Sequence, residues 1–382
     1  MMIYRYLTAA VLARFADEGA RVALVLLALE TAGSPALGGA LAAAFMVPHV
    51  LAGPAVGALA DRARRRAPVF LLLIGGNGVA IVLCGLLTGR VPVPVVLLIA
   101  VLGGCCAPLG TGGLSSLIKE LFPPERRDRV YGTDVMTYNL AGICGPAVVA
   151  VIAEPAGARA ATLVLGAGAI TAGLLVLTLP LPPRPAPEVA GTVLTGGFGA
   201  IWRIRPLRAV TLSTSLGAGA YGAFPLITAL LAIKFHTGYA AGALLSAAAI
   251  GGLAGSLLYA RYPAGAGRPE RTVMICLVAS ALPLAAVPLA SGVLPALLLF
   301  GLSGFFFGPQ SAALFASRDR HAPPAVHTQV FTLGAGLKVT ASALGAALAG
   351  YAAGAGPDGL LLAVAGVYAA GGALGAVLLA RG

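Results

Sequence analysis

The chain has few charged residues for its length. Asp, Glu, Lys and Arg make up only 10% of its 382 residues, and just three of the 25 basic residues are lysines. Soluble domains carry about 25% charged residues, whereas 59% of this sequence is hydrophobic and its mean hydropathy is +0.94. The shortage of charge excludes an ordinary soluble domain and predicts an integral membrane protein.

Several chemical motifs are also absent from the sequence. It contains neither the zinc motif H-E-x-x-H nor a phosphate-binding P-loop, so direct drive by ATP is excluded. Its five cysteines all fall inside apolar segments, without the C-x-x-C spacing of a metal site. We expect them to act as small packing residues, and the sequence predicts no metal and no cofactor.

Long apolar runs fill most of the chain, and each is long enough to cross a hydrocarbon core of about 30 Å. Only helices and closed barrels satisfy their backbone polar groups in lipid, and the period-two alternation of barrel strands is not seen. The sequence therefore predicts an all-α membrane protein with twelve transmembrane helices. The segments lie at about 5–30, 35–60, 67–88, 93–118, 131–153, 158–181, 208–233, 238–260, 272–291, 293–316, 327–353 and 358–380.

A weak internal repeat divides these segments into two halves. Pro123–Pro124 recurs as Pro323–Pro324, each pair in a basic loop, and this pattern indicates two parallel six-helix halves. The predicted parts are an N-terminal six-helix bundle over 1–181, a cytoplasmic linker with an interfacial helix over 182–207, and a C-terminal six-helix bundle over 208–382.

The basic residues are distributed unevenly between the two sides of the membrane. If the N-terminus lies inside, the outer loops receive only Arg90, Arg159 and Lys234, and nearly all the other basic residues fall in inner loops. Both termini are therefore predicted to be cytoplasmic, and the net charge of +12 calls for no nucleic acid partner. The preference for Arg over Lys, with abundant Ala and Gly, favours a bacterial inner membrane.

Four charges lie inside the first apolar segment: Arg14, Asp17, Glu18 and Arg21. On a helix they occupy one arc of about 100°, so Arg14 can pair with Glu18, and Asp17 with Arg21. Because an unpaired charge there costs on the order of 3 kcal/mol, this arc must face a water-filled cavity or a polar helix. Either Asp17 or Glu18 exchanges protons or binds a cationic substrate, or the four charges only neutralise each other.

Segment five carries a further carboxylate, Asp134, with Tyr138 on the same helical face. Asp134 is predicted either to join the cavity or to pair with Arg127 or Arg129 at the membrane edge. The amide of Asn139 falls on the opposite face, where we expect a helix–helix contact.

Segment eleven carries a lone ammonium, Lys338, which needs an anionic partner. Asp17 and Glu18 are the obvious candidates. Three other polar side chains are weaker candidates for the cavity, and these are His49, Tyr221 and Gln310.

The loop after the second segment, "GALADRARRR" at 57–66, resembles the signature loop of the major facilitator superfamily, G-x-L-x-D-R-x-G-R-R. The matching residues are Gly57, Leu59, Asp61, Arg62, Arg65 and Arg66, whereas Arg64 replaces a glycine. The resemblance implies a gate between the two bundles, in which Gly57 allows close helix approach and Asp61 caps a helix or pairs across the interface. The arginine cluster is expected to bind the anionic leaflet.

Helix five contains "GICGP", which is similar to part of the Gly- and Pro-rich pattern of proton-coupled drug antiporters in that superfamily. Gly142, Gly145 and Pro146 would then form a flexible part of this helix. The stretch at 30–62 also looks like the second helix of bacterial drug-efflux members. One departure is that 93–118 has no basic residue, where those antiporters often carry an Arg.

The resemblance implies a monomeric secondary active transporter and not an enzyme. The expected function is export of a small amphiphilic or drug-like substrate across the lipid bilayer by alternating access, coupled to protons. An importer (symporter or uniporter) and a lipid-like flippase remain alternatives. A remote alternative is an intramembrane serine protease, because "GLSG" at 301–304 matches G-x-S-G and His327 is a candidate base. A sensor or scaffold would not need the charged arc.

Overall fold

A computed structural model describes residues 2–183, 196–237, 240–263, 265 and 267–380, without the side chains of residues 35, 36, 49 and 50. Every regular element in this part of the chain is helical. The helices are α1 (Met2–Ala32), α2 (Pro35–Arg62), α3 (Arg66–Leu87), α4 (Val93–Cys106), α5 (Gly112–Ser116), α6 (Ile118–Leu121), α7 (Pro124–Leu177), α8 (Gly196–Arg203), α9 (Arg205–Gly222), α10 (Phe224–Lys234), α11 (Ala240–Arg261), α12 (Pro269–Ala286), α13 (Val293–His321), α14 (His327–Tyr351) and α15 (Gly356–Ala380).

The helix boundaries follow the local sequence. Ser34 accepts a hydrogen bond from the Leu37 amide at 3.2 Å and so caps the start of α2. Pro123 and Pro323, the repeated prolines, both adopt extended conformations just before a helical segment. Proline suits this position because its missing N–H would have no helical partner there.

Nine helical stretches in the described part of the chain are long and apolar enough to cross a membrane. One of them, α7, contains two predicted segments, because Gly157 with φ of +81° interrupts the helical geometry. Helix α2 is a further span that bends by 42° after Pro48, as expected where proline removes a helical hydrogen bond. Helix α1 is also long enough to cross a membrane, although its four charges set it apart from the apolar helices. With α7 counted as two spans and with α1 and α2 added, the described residues form twelve spans, and the predicted all-α class is confirmed.

Two predicted segments are longer than expected. The fourth continues beyond residue 118 through the short helices α5 and α6 to Leu121. The tenth continues to His321, so Arg318 lies within α13 and is buried. Arg318, which the predicted bounds of segment ten leave in the following inner loop, is therefore helical, and its location on the inner side stays a prediction. Of the predicted linker, 184–195 lies outside the described residues, and α8 occupies 196–203 with Trp202 exposed.

The chain divides into two compact units, each assembled from separate segments. Unit 1 comprises Met1–Pro123, Leu140–Phe198 and Pro323–Gly336. Its core contains buried apolar side chains from five helices, among them Leu24, Leu41, Ile81, Ala100 and Ala161. The domain bounds predicted above stay a prediction.

Unit 2 comprises Pro124–Asn139, Gly199–Ala322 and Leu337–Gly382. Within it, α11 and α13 approach so closely that glycine is required at the contact. A Cβ atom at Gly308 would lie 2.6 Å from the Gly252 carbonyl oxygen. Such close approach is typical of membrane helices, whose association depends on packing instead of hydrophobic burial.

Candidate functional site

The charged arc of α1 forms a compact ion cluster in unit 1. The Arg21 guanidinium donates from Nη2 to Asp17 Oδ2 at 2.7 Å and from Nη1 to Glu18 Oε2 at 3.0 Å. The predicted Asp17–Arg21 pair is therefore present. Arg14 instead donates from Nη2 to the Ser115 hydroxyl at 3.0 Å and is buried. The predicted Arg14–Glu18 pair is wrong, because Glu18 binds the guanidinium one turn further along.

Helix α7 packs directly against this cluster. A Cβ atom at Gly145 would lie 3.2 Å from Glu18 Cβ and 3.3 Å from the Gly19 amide nitrogen, so glycine lets the two helices meet here. Gly142, by contrast, is exposed and has nothing within 4 Å of a built Cβ. Pro146 lies inside the helix. A flexible role for these three residues stays a prediction.

The two carboxylates of the cluster differ in exposure. The Asp17 side chain is 5% exposed, whereas 35% of the Glu18 side chain is accessible. Two carboxylates that share one guanidinium are electrostatically coupled, so the gain of a proton by one changes the charge balance of the other. Chemically, this arrangement can take up and release a proton while its remaining charge stays paired.

In unit 2, the first part of α7 carries Asp134, Tyr138 and Asn139. Asp134 is fully buried, and the Tyr138 ring lies 5.8 Å from the Phe315 ring. The Asn139 amide donates to the Ser256 hydroxyl at 3.1 Å. The predicted helix–helix contact of Asn139 is therefore confirmed.

Arg127, one predicted partner of Asp134, contacts a carboxylate of α13. Arg127 Nη1 lies 3.5 Å from Asp319 Oδ2. Arg129, the second predicted partner, is exposed, and its carbonyl accepts a hydrogen bond from Thr133. A role of Asp134 in the cavity stays a prediction.

Lys338 lies beside an aromatic ring in unit 2. Its Nζ atom is 5.5 Å from the centre of the Phe307 ring, within the range of a cation–π contact. No carboxylate in the described part of this unit lies within ion-pair distance of the ammonium. Asp17 and Glu18, the predicted partners, both bind Arg21.

Tyr221 contacts the same aromatic ring as Lys338, that of Phe307. Its ring stacks on Phe307 with centroids 6.0 Å apart, and 45% of the residue is exposed. Gln310 is buried, and its Oε1 atom has no hydrogen-bond partner among the described residues. The side chain of His49 lies outside the described residues.

Arg318 is a buried charge that sequence reasoning missed. Its Nε and Nη2 atoms have no hydrogen-bond partner in the described part of the chain. A signal for it exists in the sequence, because no proline or glycine interrupts 309–322 after Pro309, so the helix continues through Arg318.

The signature loop binds the start of α14 within unit 1. Asp61 accepts hydrogen bonds from the amides of Thr328 and Gln329, both at 2.9 Å. These amides belong to the first turn of the helix, which has no helical acceptors for them and carries a partial positive charge. A Cβ atom at Gly57 would lie 2.7 Å from Gln329 Cα, so this glycine permits the contact.

Arg66 is the most enclosed arginine of the loop. It donates to Glu120 Oε1 at 2.5 Å, to the Ser116 hydroxyl at 3.2 Å and to the Thr328 hydroxyl. It is also fully buried. The prediction that Arg66 binds the lipid leaflet is therefore wrong.

The other loop arginines are more accessible. Arg62 is half-buried, whereas Arg64 and Arg65 are exposed. The link from α2 to α3 uses no left-handed residue, since His236 is the one non-glycine residue with positive φ in the described part of the chain. This explains why the turn forms with Arg64 in place of the usual glycine.

The described residues contain no group of three or more His, Cys, Asp and Glu side chains placed to hold a metal ion. The Ser303 hydroxyl, the nucleophile of the protease alternative, is buried and donates to the Ser280 carbonyl at 3.1 Å.

Known proteins resemble this chain in sequence. The profile of the Major Facilitator Superfamily matches residues 6–346. An uncharacterized MFS-type transporter, y4rN of Sinorhizobium fredii (strain NBRC 101917 / NGR234), is 29% identical over 218 residues. This match covers 56% of this chain and 54% of the relative, so the chain matches about half the length of that curated protein.

Solved structures share the fold over nearly the whole chain. The human organic anion transporter MFSD10 has a TM-score of 0.78 at 18% identity, covering 98% of this chain and 100% of its own. A bacterial homologue of the iron transporter ferroportin, in an outward-facing state, has a TM-score of 0.77 at 15% identity with 100% of both chains covered. The proton:xylose symporter XylE has a TM-score of 0.74 at 15% identity, covering 99% and 95%. At such identities the likeness concerns the fold alone.

Proposed function

The chain belongs to the Major Facilitator Superfamily, and on that premise we propose that it exports a small amphiphilic or drug-like compound by alternating access, coupled to the proton gradient. Members of this superfamily are secondary transporters and not enzymes, so the protease alternative is abandoned. The protein is a multi-pass membrane protein. We further propose that it is a monomer in a bacterial inner membrane with both termini in the cytoplasm.

The observation that carries the proposal is the Asp17–Arg21–Glu18 cluster. Its charges lie near the middle of a helix long enough to span the membrane, where ionised groups are expensive and usually mark a transport pathway. One guanidinium serves two carboxylates, so a single protonation leaves a neutral pair behind. In this proposal Glu18, the more accessible carboxylate, exchanges the proton, and Asp17 keeps Arg21 in place.

The contact between Asp61 and α14 supports a gating role for the signature loop. The carboxylate holds two amides of the first helical turn, and Arg66 adds a buried bond to Thr328. These bonds join residues more than 260 positions apart in the chain, so they depend on how α2 and α3 lie against α14. In the transport cycle they would break and re-form as the cavity changes sides.

The test is transport into inverted membrane vesicles energised by a proton gradient. Two fluorescent amphiphiles of similar size serve as probes, one a lipophilic cation and the other an organic anion. Wild type is compared with Glu18→Gln and Asp17→Asn. Glu154→Gln, which alters an exposed carboxylate of α7, is the matched control. We expect gradient-dependent uptake of at least one probe by wild type and the control, and its loss in both cluster variants.

Other outcomes separate the parts of this proposal. Equal uptake by wild type and the cluster variants would leave export standing and reduce the cluster to a structural ion pair. Gradient-dependent accumulation only in right-side-out vesicles would identify an importer. If neither probe moves in either orientation, export of amphiphilic compounds is wrong.

A further inference from the structure

A second group of charged side chains lies in unit 2, apart from the α1 cluster. It consists of Arg318 on α13 and Lys338 on α14, with the Phe307 ring 5.5 Å from the Lys338 ammonium. Both cations belong to unit 2, and their like charges repel each other. Arg318 is fully buried and Lys338 is half-buried.

Neither cation is neutralised by a carboxylate of the described part of this unit. Asp319, the neighbour of Arg318 in sequence, lies 3.5 Å from Arg127. Asp358 binds the surface lysine Lys234 at 2.8 Å. Desolvated cations that repel each other are unfavourable inside a membrane protein unless something else supplies negative charge.

Unpaired polar atoms lie on the same stretch of α13. The Ser311 hydroxyl and the Nε and Nη2 atoms of Arg318 are buried and have no hydrogen-bond partner among the described residues. Phe307, Ser311 and Arg318 fall within about 40° of each other around the helix. The three side chains thus lie on one face of α13, with Arg318 about three turns after Phe307.

An aromatic surface adjoins these polar atoms. Tyr221 stacks on Phe307 with an interplanar angle of 21°, and Phe224 lies 4.9 Å from the Tyr221 ring. Tyr221 is exposed, so the stack is accessible on one side. Positive charge, hydrogen-bond donors and a flat apolar surface thus occur together within one unit.

We propose that Arg318 and Lys338 bind the negatively charged group of an amphiphilic organic anion, whose apolar body packs on the Tyr221–Phe307 stack. The group is a carboxylate, sulfonate or phosphate, because a guanidinium with free donors matches two oxygens of such a group and an ammonium adds a point charge. This inference rests on the proposed transport function and names the substrate class for it.

The test is ligand binding by the purified full-length protein in an uncharged detergent. The probes are 2-naphthoate, 2-naphthalenesulfonate and 2-naphthyl phosphate, with uncharged 2-naphthamide as the matched compound. The rise in Tm with probe concentration reports the Kd. The variants are Arg318→Gln and Lys338→Gln, with Lys338→Arg to keep the charge and Lys234→Gln as the control on a surface lysine of the same unit.

We expect at least one of the anions, but not the amide, to raise the Tm of wild type. Each Gln variant should weaken anion binding roughly ten-fold or more, as expected for loss of a charge-assisted hydrogen bond. Lys338→Arg and Lys234→Gln should bind as wild type does. The inference is overturned if the amide raises Tm as much as the anions, if neither Gln variant changes the Kd, or if no anion raises Tm.

The Tm of variants without ligand gives a second test, which applies even if a Gln variant folds poorly. Arg318→Met and Lys338→Met remove charges that have no counter-ion, so each should melt at or above the temperature of wild type. A large fall in Tm for both would mean that these cations hold the fold through partners of their own. That result would also overturn the inference.

A lipid headgroup presents the same anionic chemistry as a soluble substrate. The melts are therefore repeated with phosphatidylglycerol in the micelle, and with phosphatidylcholine as the uncharged-headgroup control. Stabilisation by phosphatidylglycerol that disappears in Arg318→Gln, with no effect of the soluble anions, would assign the site to a lipid. Anion binding without gradient-driven transport would refute the proposed function and leave this site standing.

Discussion

The two units treat buried charge in opposite ways. In unit 1, Arg21 lies within 3.0 Å of both Asp17 and Glu18, so both of these carboxylates have a counter-ion on the same helix. In unit 2, Arg318 and Lys338 have no such carboxylate among the described residues. The difference teaches that one unit carries its own counter-ions, whereas the other is electrostatically complete only when an anion arrives.

A second comparison concerns the segment that each unit takes from a distant part of the chain. Unit 1 holds 323–336 with the carboxylate of Asp61, which binds two amides of α14. Unit 2 holds 124–139 by close packing, since a Cβ atom at Gly132 would lie 2.7 Å from Ala260 Cα. Helix α11 ends at Arg261, where the repeat would place a counterpart of Asp61, so an equivalent carboxylate is absent from this position of the sequence.

The largest expected effect comes from breaking the ion cluster of unit 1. Arg21→Met leaves Asp17 and Glu18 without their counter-ion, and we expect the free energy of unfolding to fall by about 3 kcal/mol. Equilibrium unfolding of the purified protein in detergent measures this change. In the triple variant Asp17→Asn, Glu18→Gln, Arg21→Met, the loss should largely disappear. A stable single variant would show that the cluster is not held by charge.

The next largest loss of stability is expected where the segments 323–336 and 124–139 pack closely against their units. Gly57→Ala and Gly132→Ala each place a methyl group against backbone atoms, and overpacking of this kind costs roughly 1–3 kcal/mol. Hydrogen exchange should accelerate in the first turns of α14 for Gly57→Ala and in the first turns of α7 for Gly132→Ala. Gly142→Ala meets open space and is the matched control. Unchanged exchange in both variants would contradict the close packing.

Removing a cation from unit 2 should change stability in the opposite direction from Arg21→Met. Because neither cation has a carboxylate partner among the described residues that its loss would leave unpaired, Lys338→Met and Arg318→Met should each raise the free energy of unfolding by about 1 kcal/mol. The same detergent unfolding experiment measures it. If both variants are destabilised as strongly as Arg21→Met, the contrast between the two units is wrong.

A more local effect of similar size belongs to the helix cap. Asp61→Asn removes the negative charge that faces the start of α14, at a cost of about 1 kcal/mol. Amide exchange at 328 and 329 should accelerate, whereas exchange in the core of α1 should not. Asp358→Asn, which alters an exposed ion pair, should leave both regions as they are. Protection of the two amides without Asp61 would show that the cap is dispensable.

Local spacing made part of the candidate site predictable. Asp17 and Arg21 are four residues apart on one helix, so their contact follows from helical geometry alone. Asn139 was assigned to a helix contact because it falls on the face opposite Asp134, and it does bind Ser256. The twelve spans could also be predicted from hydropathy and from the Pro, Gly and charged residues that separate the apolar segments.

Contacts between distant residues were not predictable from spacing. Arg14 binds Ser115, which lies 101 positions away, and Arg66 binds Thr328 across 262 positions. In both cases the sequence pattern favoured a nearer or more exposed location, a pair with Glu18 or the lipid surface. Arg318 was placed in a loop because a charged residue near an apolar end usually marks the membrane edge.

The sequence by itself determined the helical class, the spans and the arc of charges on α1. These follow from local chemistry, since a backbone in lipid must bond to itself and side chains four residues apart must meet. Only the tertiary structure decided the partners of Arg14 and Arg66, which lie on other helices. Such contacts depend on a few ångströms between helices, and helix packing sets those distances through close-approach glycines such as Gly57 and Gly145.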